Sequence, residues 1–214
     1  MADENSLRER LIDVGVHLVL TEGSASVGLR EIARRAGVSH GAPRRYFATH
    51  HALLSAVARR GFEDLATRFE TAVDPEAPPR AQLERLAKTY VGYALECRGM
   101  FELMFRHDLL DGAQQDDGRP QLRTSTLPLF ERMVALVRRC REDTDTVHRS
   151  GLPGGSAVPP VVTAAALWSG LHGIAQLWTW GSLQLALATP PPGDEELDRL
   201  VTTVLDAHLG PVTA

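Results

Sequence analysis

The chain has 214 residues, of which 43% are hydrophobic and 23% are charged, so it is long enough to bury the core of one or two domains. Its two cysteines, Cys97 and Cys140, have neither a CxxC motif nor metal-ligand spacing, and its acidic, polar N-terminus lacks the apolar stretch of a signal peptide. We therefore expect a cytoplasmic protein whose cysteines are reduced and serve packing.

The first element is a predicted helix over residues 6–22. Ser6 and Glu9 have the S-x-x-E spacing of a capping box, in which two side chains bond the first backbone N–H groups. Gly23 ends the helix. Its apolar face comprises Leu7, Leu11, Val14 and Leu18.

A second helix over Leu29–Ala36 is followed by a tight turn. Gly37 stands where a left-handed C-cap is needed, and Val38 is expected to be buried behind it. Ser39 is expected to cap a short third helix by accepting a backbone N–H. Two helices joined in this way form a helix-turn-helix, whose second helix enters the major groove of DNA.

The charge of the chain is concentrated around this motif. Residues 26–60 contain seven arginines and one acid, a net charge of +6, whereas the whole chain has a net charge of −4. A cationic segment on an acidic protein is typical of a DNA-binding surface, because contacts with phosphates release counterions. The alternative is an ordinary solvated helix face.

The DNA-binding candidates lie in and beside the third helix. They are Arg30, Ser39, His40, Gly41, Arg44, Arg45, Tyr46 and His50. His40, Gly41, Arg44 and Arg45 are expected near bases and phosphates, and arginine is the usual partner of guanine O6 and N7. Arg30 and His50 are the stronger candidates for phosphate contact. Gly41 allows close approach of the backbone. Tyr46 suits either phosphate contact or packing, and Phe47 is expected in the core.

The remaining chain is predicted to be helical, and no run alternates as a strand does. The predicted helices cover residues 49–72, 80–97, 100–110, 121–142, 161–188 and 195–209, with a break at 74–79 and loops at 111–120 and 143–160. The fold class is therefore all-α, with about nine helices. We expect a DNA-binding domain over residues 1–50 and a larger helical domain over residues 51–214.

Residues 159–193 contain no Asp, Glu, Lys or Arg, and the segment 161–187 is long enough to cross a bilayer. Polar residues interrupt this segment, and no basic residues flank it to set an orientation. We therefore expect a buried helix of a soluble protein and no membrane partner.

Apolar and aromatic residues of the later helices are candidates for a ligand pocket, although such stripes also occur as plain core. They are Tyr90, Met100, Phe101, Met104, Phe105, Met133, Trp168, His172 and Trp178. Steps of about 100° place Trp168, His172 and Trp178 on one face of the helix 161–188. Small residues such as Gly170 and Gly173 lie on another face and suit a dimer seam. His172 suits a hydrogen bond to a ligand or to a neighbour.

Four stretches resemble the TetR family of bacterial transcriptional regulators. RERLIDVGVHLVLTEG (8–23), LREIARRAGVSHGAPRRYF (29–47) and ALLSAV (52–57) follow the family pattern, and WSGLHG (168–173) matches the Trp-x-x-x-His-Gly signature of its WHG subtype. The resemblance implies a three-helix DNA-binding domain, a ligand pocket, and a homodimer formed through the last two long helices, 161–188 and 195–209.

Three positions depart from the family pattern. The family usually has Tyr at the position of Arg44, Lys at that of His50, and Thr or Ser at that of Gly28. In the family, this Tyr and this Lys commonly contact phosphate, and Arg44 replaces the phenol by a permanently charged, bidentate donor. Gly28 removes a hydroxyl that contacts phosphate.

The resemblance implies a sequence-specific regulator of double-stranded operator DNA, and we expect a repressor released by a small apolar or amphipathic effector. Alternatives are a transcriptional activator of the same fold or a helical protein-interaction module. An enzyme is not expected, because the chain lacks the nucleophile-elbow, zincin, Walker A and Rossmann motifs. The histidines lack ligand spacing. We therefore expect no metal and no cofactor.

Overall fold

The computed structural model describes residues 2–106, 122–147, 158–187 and 194–211, and in these ranges every regular element is helical. The helices are α1 (Ala2–Glu22), α2 (Leu29–Arg35), α3 (His50–Ala72), α4 (Pro79–Glu96), α5 (Arg98–Met104), α6 (Leu122–Val147), α7 (Pro160–Thr179), α8 (Ser182–Leu187) and α9 (Asp194–Leu209), with 3₁₀ turns at Ser24–Ser26 and Ala42–Arg45. The all-α prediction is confirmed.

The chain forms two compact units. The first comprises residues 1–65 and 96–126, and the second comprises residues 66–95 and 127–214. The first unit contains the predicted helix-turn-helix. The predicted domain boundary after residue 50 stays a prediction.

Apolar faces of α1, α2, α3 and α5 form the core of the first unit. Its buried side chains include Leu11, Leu18, Ile32, Leu53, Val57, Met100 and Met104. Helix α5 lies very close to α1, because a Cβ atom at Gly99 would lie 2.4 Å from the carbonyl oxygen of Val19. Since that neighbour is backbone, only glycine fits there without displacing a helix.

Helices α4, α6, α7 and α9 supply the core of the second unit. Its buried side chains include Leu83, Tyr93, Val137, Leu167, Leu171, Val201 and Leu205. Gly170 of α7 faces α9, since a Cβ atom there would lie 2.9 Å from Val204 Cγ1. Ion pairs join α9 to α4 at Lys88–Asp198 (2.8 Å) and Arg80–Asp206.

The predicted capping box is wrong. Helix α1 begins at Ala2, so Ser6 lies inside the helix and not at its N-cap. Glu9 instead pairs with Arg8 and with Arg60 of α3, whose Nη2 lies 2.5 Å from the Glu9 carboxylate. A long-range ion pair therefore replaces the predicted local cap.

Three later boundaries differ from prediction. The predicted helix 100–110 ends at Met104, and residues 107–110 lie outside the described residues together with the predicted loop 111–120. The predicted helix 121–142 continues to Val147, so the predicted loop 143–160 begins later, and residues 148–157 of it lie outside the described part.

The predicted single helix 161–188 is wrong, because it is divided into α7 and α8. Gly181 has φ of 77°, a left-handed conformation that ends a helix, and its N–H donates to the Trp178 carbonyl (3.0 Å). Residue 188 lies outside the described residues. None of the described helices has the length and apolar character that spanning a bilayer requires.

Candidate nucleic-acid interface and interior polar cluster

Helix α2 ends as predicted, in a left-handed glycine cap. Gly37 has φ of 68°, its N–H donates to the Arg34 carbonyl (3.2 Å), and the Val38 N–H donates to the Ala33 carbonyl (3.0 Å). These two bonds form a Schellman motif, which redirects the chain toward the next element. Val38 is only half-buried, so its prediction as a buried residue is wrong.

The predicted recognition helix is only a short 3₁₀ turn, Ala42–Arg45. The N-cap position belongs to Gly41, and the backbone carbonyl of Ser39 accepts the Ala42 N–H (2.9 Å), so the predicted side-chain cap by Ser39 is wrong. Pro43 is buried in the first turn, where its missing N–H costs no helical bond.

Two contacts fix the end of this turn. The Pro43 carbonyl accepts the N–H groups of Tyr46 (3.0 Å) and Phe47 (2.9 Å). Phe47 is 1% exposed, which confirms it as core, and the Arg8 guanidinium of α1 lies 5.4 Å from its ring centroid. The turn is thus held by a buried proline on one side and a buried phenylalanine on the other.

Ion pairs with acids occupy four of the seven arginines of residues 26–60. On α2, Arg34 and Arg35 both bond Glu31, and Arg35 also reaches Glu22 of α1 at 2.5 Å. Hydrogen bonds from Arg34 and then Arg35 lower the pKa of Glu31 to about 2. Glu31 therefore stays ionised and holds both guanidinium groups near neutral pH.

The same pattern recurs on α3. Arg60 pairs with Glu9 at 2.5 Å and with Glu63 at 3.5 Å, and Arg59 lies 3.9 Å from Glu63. Arg60 thereby connects α3 to α1, so these arginines are committed to contacts within the first unit.

Three arginines remain, namely Arg30, Arg44 and Arg45. All three are exposed, and none has a carboxylate partner among the residues that the structure describes. We call them the unpaired arginines. Because no acid of the described chain neutralises them, they carry the positive charge that this region offers to a partner.

The other predicted DNA-binding residues lie in the same region. Ser39, His40 and Gly41 are exposed before the 3₁₀ turn, and Tyr46 is half-buried after it. His50 begins α3, and its Nε2–H donates to the Val27 carbonyl at 2.5 Å. A carbonyl only accepts, so Nε2 carries the proton, and His50 is fixed against the segment before α2.

Thr49, the first residue of the predicted helix 49–72, caps the N-terminus of α3. Thr49 Oγ1 accepts the Ala52 N–H at 3.0 Å, which satisfies one of the first backbone donors. Gly28 occupies the N-cap position of α2, and its carbonyl accepts the Ile32 N–H at 3.0 Å. Both helices that flank the turn are thus fixed at their first residues.

In the second unit, three of the predicted pocket residues form one hydrogen-bonded group, which we call the polar cluster: Tyr90, Trp168 and His172. Trp168 Nε1–H donates to the Tyr90 hydroxyl (3.0 Å), and that hydroxyl lies 2.8 Å from His172 Nδ1. A hydroxyl can both accept and donate, so the Tyr90 hydroxyl can bond Trp168 and His172 together. His172 Nε2 lies 3.5 Å from the Gln176 amide nitrogen, which only donates.

The polar cluster is electrically neutral. Burial raises the pKa of Tyr90 far above its usual 10, and burial lowers the pKa of His172 below its usual 6.5. Phe130 packs edge-on against Trp168 at 6.3 Å between ring centroids. The cluster therefore presents neutral hydrogen-bonding groups and aromatic faces near neutral pH.

The remaining pocket candidates are divided between the two units. Met100, Phe101 and Met104 are 0–3% exposed in the core of the first unit, together with the half-buried Phe105. Met133 and Trp178 are half-buried in the second unit. The sequence pattern identified these residues as apolar but did not separate core from cavity.

Sequence reasoning missed Gln176 beside His172, although its i+4 spacing places it on the same helix face. It also missed the acids that pair with the arginines, of which Glu9 and Glu22 come from α1. Within the described ranges, no group of three or more His, Cys, Asp or Glu side chains is arranged to hold a metal ion.

Two protein families match the chain. Residues 11–57 match the family described as bacterial regulatory proteins, tetR family, and residues 83–204 match the tetracyclin repressor-like C-terminal domain. The second match alone spans more than half of the 214 residues. The chain therefore belongs to the tetR family of bacterial transcriptional regulators, which bind DNA and are not enzymes.

The chain is also similar to individual proteins, one of them named as a transcriptional regulator. An uncharacterized HTH-type transcriptional regulator in the dhlA 5' region of Xanthobacter autotrophicus is 32% identical over 104 residues, 45% of this chain and 49% of that protein, so the chain spans about half the length of this curated relative. A protein of unknown function from Rhodococcus sp. RHA1 superposes with a TM-score of 0.69 at 28% identity, covering 95% of this chain and 93% of that chain.

A more distant structure shares the fold alone. The TetR family transcriptional regulator PfmR from Thermus thermophilus superposes with a TM-score of 0.60 at 16% identity, covering 96% of this chain and 100% of that chain. The described architecture is thus that of the family over nearly the whole chain.

Proposed function

We propose that the protein is a ligand-responsive repressor that binds its operator as a homodimer in the cytoplasm, where the bacterial chromosome lies. The observation that carries this proposal is that two faces of α7 differ in their side chains and in their exposure. One face of this helix holds Trp168 and His172 of the polar cluster, and another face is uncharged and largely exposed along the helix.

The exposed face is a continuous stripe with helical spacing. It comprises Val162, Ala166, Ser169, Gly173, Leu177 and Trp180, of which Val162 is 51%, Leu177 40% and Trp180 60% exposed. A Cβ atom at Gly173 would meet nothing within 4 Å. Exposed apolar stripes of this length favour association, and small central residues let two helices approach closely. We assign the stripe to a second copy of the chain.

The polar cluster is the proposed contact for the effector. Trp168 and His172 are half-buried, and their neighbours Phe130 and Gln176 carry no charge. These groups favour a small apolar or amphipathic molecule that stacks on an aromatic ring and accepts or donates one hydrogen bond. The other predicted pocket residues, Met133 and Trp178 in the second unit among them, remain candidates for its apolar contacts.

The effector would release the operator DNA by shifting the dimer from a DNA-binding conformation to another conformation. In the DNA-bound state the two recognition turns of a dimer must lie about one helical turn of DNA, ~34 Å, apart. An effector that binds better to a different spacing releases the operator, and an effector with equal affinity for both states releases nothing.

Sedimentation of a matched pair of glycine variants tests the dimer. Gly173→Arg places a charge in the exposed stripe, whereas Gly92→Arg places the same charge at a helical glycine of α4 that also has no neighbour within 4 Å. We expect Gly173→Arg to be monomeric and to lose operator binding, and Gly92→Arg to behave as the wild type. A dimeric Gly173→Arg variant would overturn this assignment.

Fluorescence anisotropy with DNA from the region upstream of the gene tests sequence-specific DNA binding, with a scrambled duplex as control. Tight binding to the native fragment alone supports an operator, and in vitro transcription then separates a repressor from an activator of the same fold. Transcription that rises on adding the protein would overturn repression. An effector panel scored by release of the fragment tests ligand response.

A further inference from the structure

The 3₁₀ geometry of the recognition turn sets the directions of its side chains. A 3₁₀ helix has three residues per turn, so successive side chains are about 120° apart. Pro43 points inward, because it is buried, and Arg44 and Arg45 follow it at the two remaining directions. Both arginines therefore lie on the outward face, splayed to opposite sides of it.

These two arginines are available to a partner. Both are exposed, and neither has an acid partner in the described part of the chain. By contrast, Arg34 and Arg35 bond Glu31, and His50 bonds the Val27 carbonyl. Arg30 is also unpaired but lies on α2, so within the recognition turn Arg44 and Arg45 are the cationic side chains available to base edges.

Their chemistry selects one base. A guanidinium group donates hydrogen bonds and accepts none. In the major groove only guanine offers two adjacent acceptors, N7 and O6, whereas adenine and thymine each offer one acceptor. Two splayed guanidinium groups cannot converge on one base, so each requires its own guanine.

We propose that Arg44 and Arg45 read two guanines at separate base pairs of each operator half-site. This inference rests on the DNA-binding function and names the base content that the operator must have. It makes the short turn, with only two long side chains facing outward, sufficient for sequence discrimination.

Selection from a randomised duplex pool, followed by base replacement, tests the inference. Each guanine of the selected sequence is replaced in turn by 7-deazaguanine, which keeps base pairing but lacks the N7 acceptor. We expect a loss of affinity of about 10-fold at two base pairs of each half-site. Insensitivity to 7-deazaguanine at every position would overturn the proposal.

Alanine variants assign each arginine to its base. Arg44→Ala and Arg45→Ala remove the guanidinium donors, whereas lysine would still donate to guanine N7. Each is expected to abolish the 7-deazaguanine effect at one base pair, a different one for each variant, while Arg30→Ala leaves both effects unchanged. If both variants weaken all duplexes equally, the arginines contact phosphate and the proposal is wrong.

The outcomes also separate this inference from the function on which it rests. A preferred sequence without guanine contradicts the guanine contacts alone. A pool that yields no preferred sequence contradicts sequence-specific binding, and with it the inference. Circular dichroism of each variant checks that the exposed substitutions leave the helices intact.

Discussion

The N-terminal segment 26–60 and helix α7 differ in their content of charged residues. The segment contains seven arginines, of which four are paired with acids of α1, α2 and α3 and three are unpaired among the described residues. Helix α7, Pro160–Thr179, contains no Asp, Glu, Lys or Arg. Charge count alone therefore overstates the DNA-binding surface, since pairing divides the arginines into structural and available ones.

This difference in charge also indicates different partners for the arginine-rich segment and for α7. Unpaired cations suit a polyanion, because phosphate contact releases counterions. An uncharged helix with an exposed stripe and an interior polar cluster suits another apolar helix and a neutral small molecule. The following predictions test this contrast, from the largest expected effect to the smallest.

The salt dependence of operator binding counts the available arginines. Each phosphate contact contributes a slope of about −0.9 to log K against log salt. If at most three arginines per subunit are available, a dimer has a slope no steeper than about −5, or about 10³-fold between 50 and 200 mM salt, and the slope is about −2 if Arg44 and Arg45 contact bases and Arg30 alone contacts phosphate. A slope of about −13, expected if all seven arginines contact phosphate, would contradict the pairing account.

Tyr90→Phe should destabilise the second unit although the ring is kept. The variant removes the acceptor of Trp168 Nε1–H and the hydrogen bond between the Tyr90 hydroxyl and His172 Nδ1. Leaving buried polar groups without partners costs about 1–3 kcal/mol. Urea denaturation measures this loss, and a double-mutant cycle with Trp168→Phe should be non-additive. Additive free energies of unfolding would mean that the two side chains do not interact.

Two glycines of α7 should respond to alanine with opposite signs. At Gly170 a Cβ atom would lie 2.9 Å from Val204 Cγ1, so alanine overpacks the contact with α9 and costs about 1 kcal/mol. At Gly173 the Cβ meets nothing within 4 Å in its own chain, so alanine should stabilise the helix of the monomer by a similar amount, whereas in a dimer it would crowd the stripe. Thermal unfolding at concentrations where the chain is monomeric distinguishes the two variants. Equal changes in the melting temperature of the two variants would contradict the assignment of Gly170 to an inward face and Gly173 to an outward face.

The smallest effect is the pH dependence due to His172. Burial lowers its pKa below 6.5, so the unfolded chain takes up a proton that the folded chain resists. The free energy of unfolding should therefore fall as pH falls below 6.5, by at most about 1.4 kcal/mol per pH unit. Denaturation of wild type and His172→Gln in parallel isolates this contribution. A stability difference independent of pH would contradict a buried, neutral imidazole.

Local patterns in the sequence predicted much of the first unit. The Gly37 cap follows from a glycine just after the last apolar position of the helix, and the burial of Leu11 and Leu18 follows from helical periodicity. The length of the recognition element did not follow, because Pro43 and Phe47 hold it as a 3₁₀ turn through tertiary contacts. Intrinsic helix propensity predicts the conformation of a short segment poorly when tertiary packing determines it.

The candidate site was predictable in its residue types but not in its pairing. Arg60 reaches Glu9 across 51 positions of the chain, and Tyr90 reaches His172 across 82. Such contacts depend on how helices pack, which periodicity does not specify. The same limit explains why Gly181 ends α7, since only its backbone conformation distinguishes it from the helical Gly170 and Gly173.

The most direct test of the central claim is the operator affinity of two matched double variants. Arg44→Ala/Arg45→Ala and Arg34→Ala/Arg35→Ala each remove two exposed arginines, but only the second pair bonds Glu31. We predict a loss of at least about 100-fold for the first variant and less than about 10-fold for the second. Equal losses, or a larger loss for Arg34→Ala/Arg35→Ala, would contradict the claim that unpaired arginines bind the DNA.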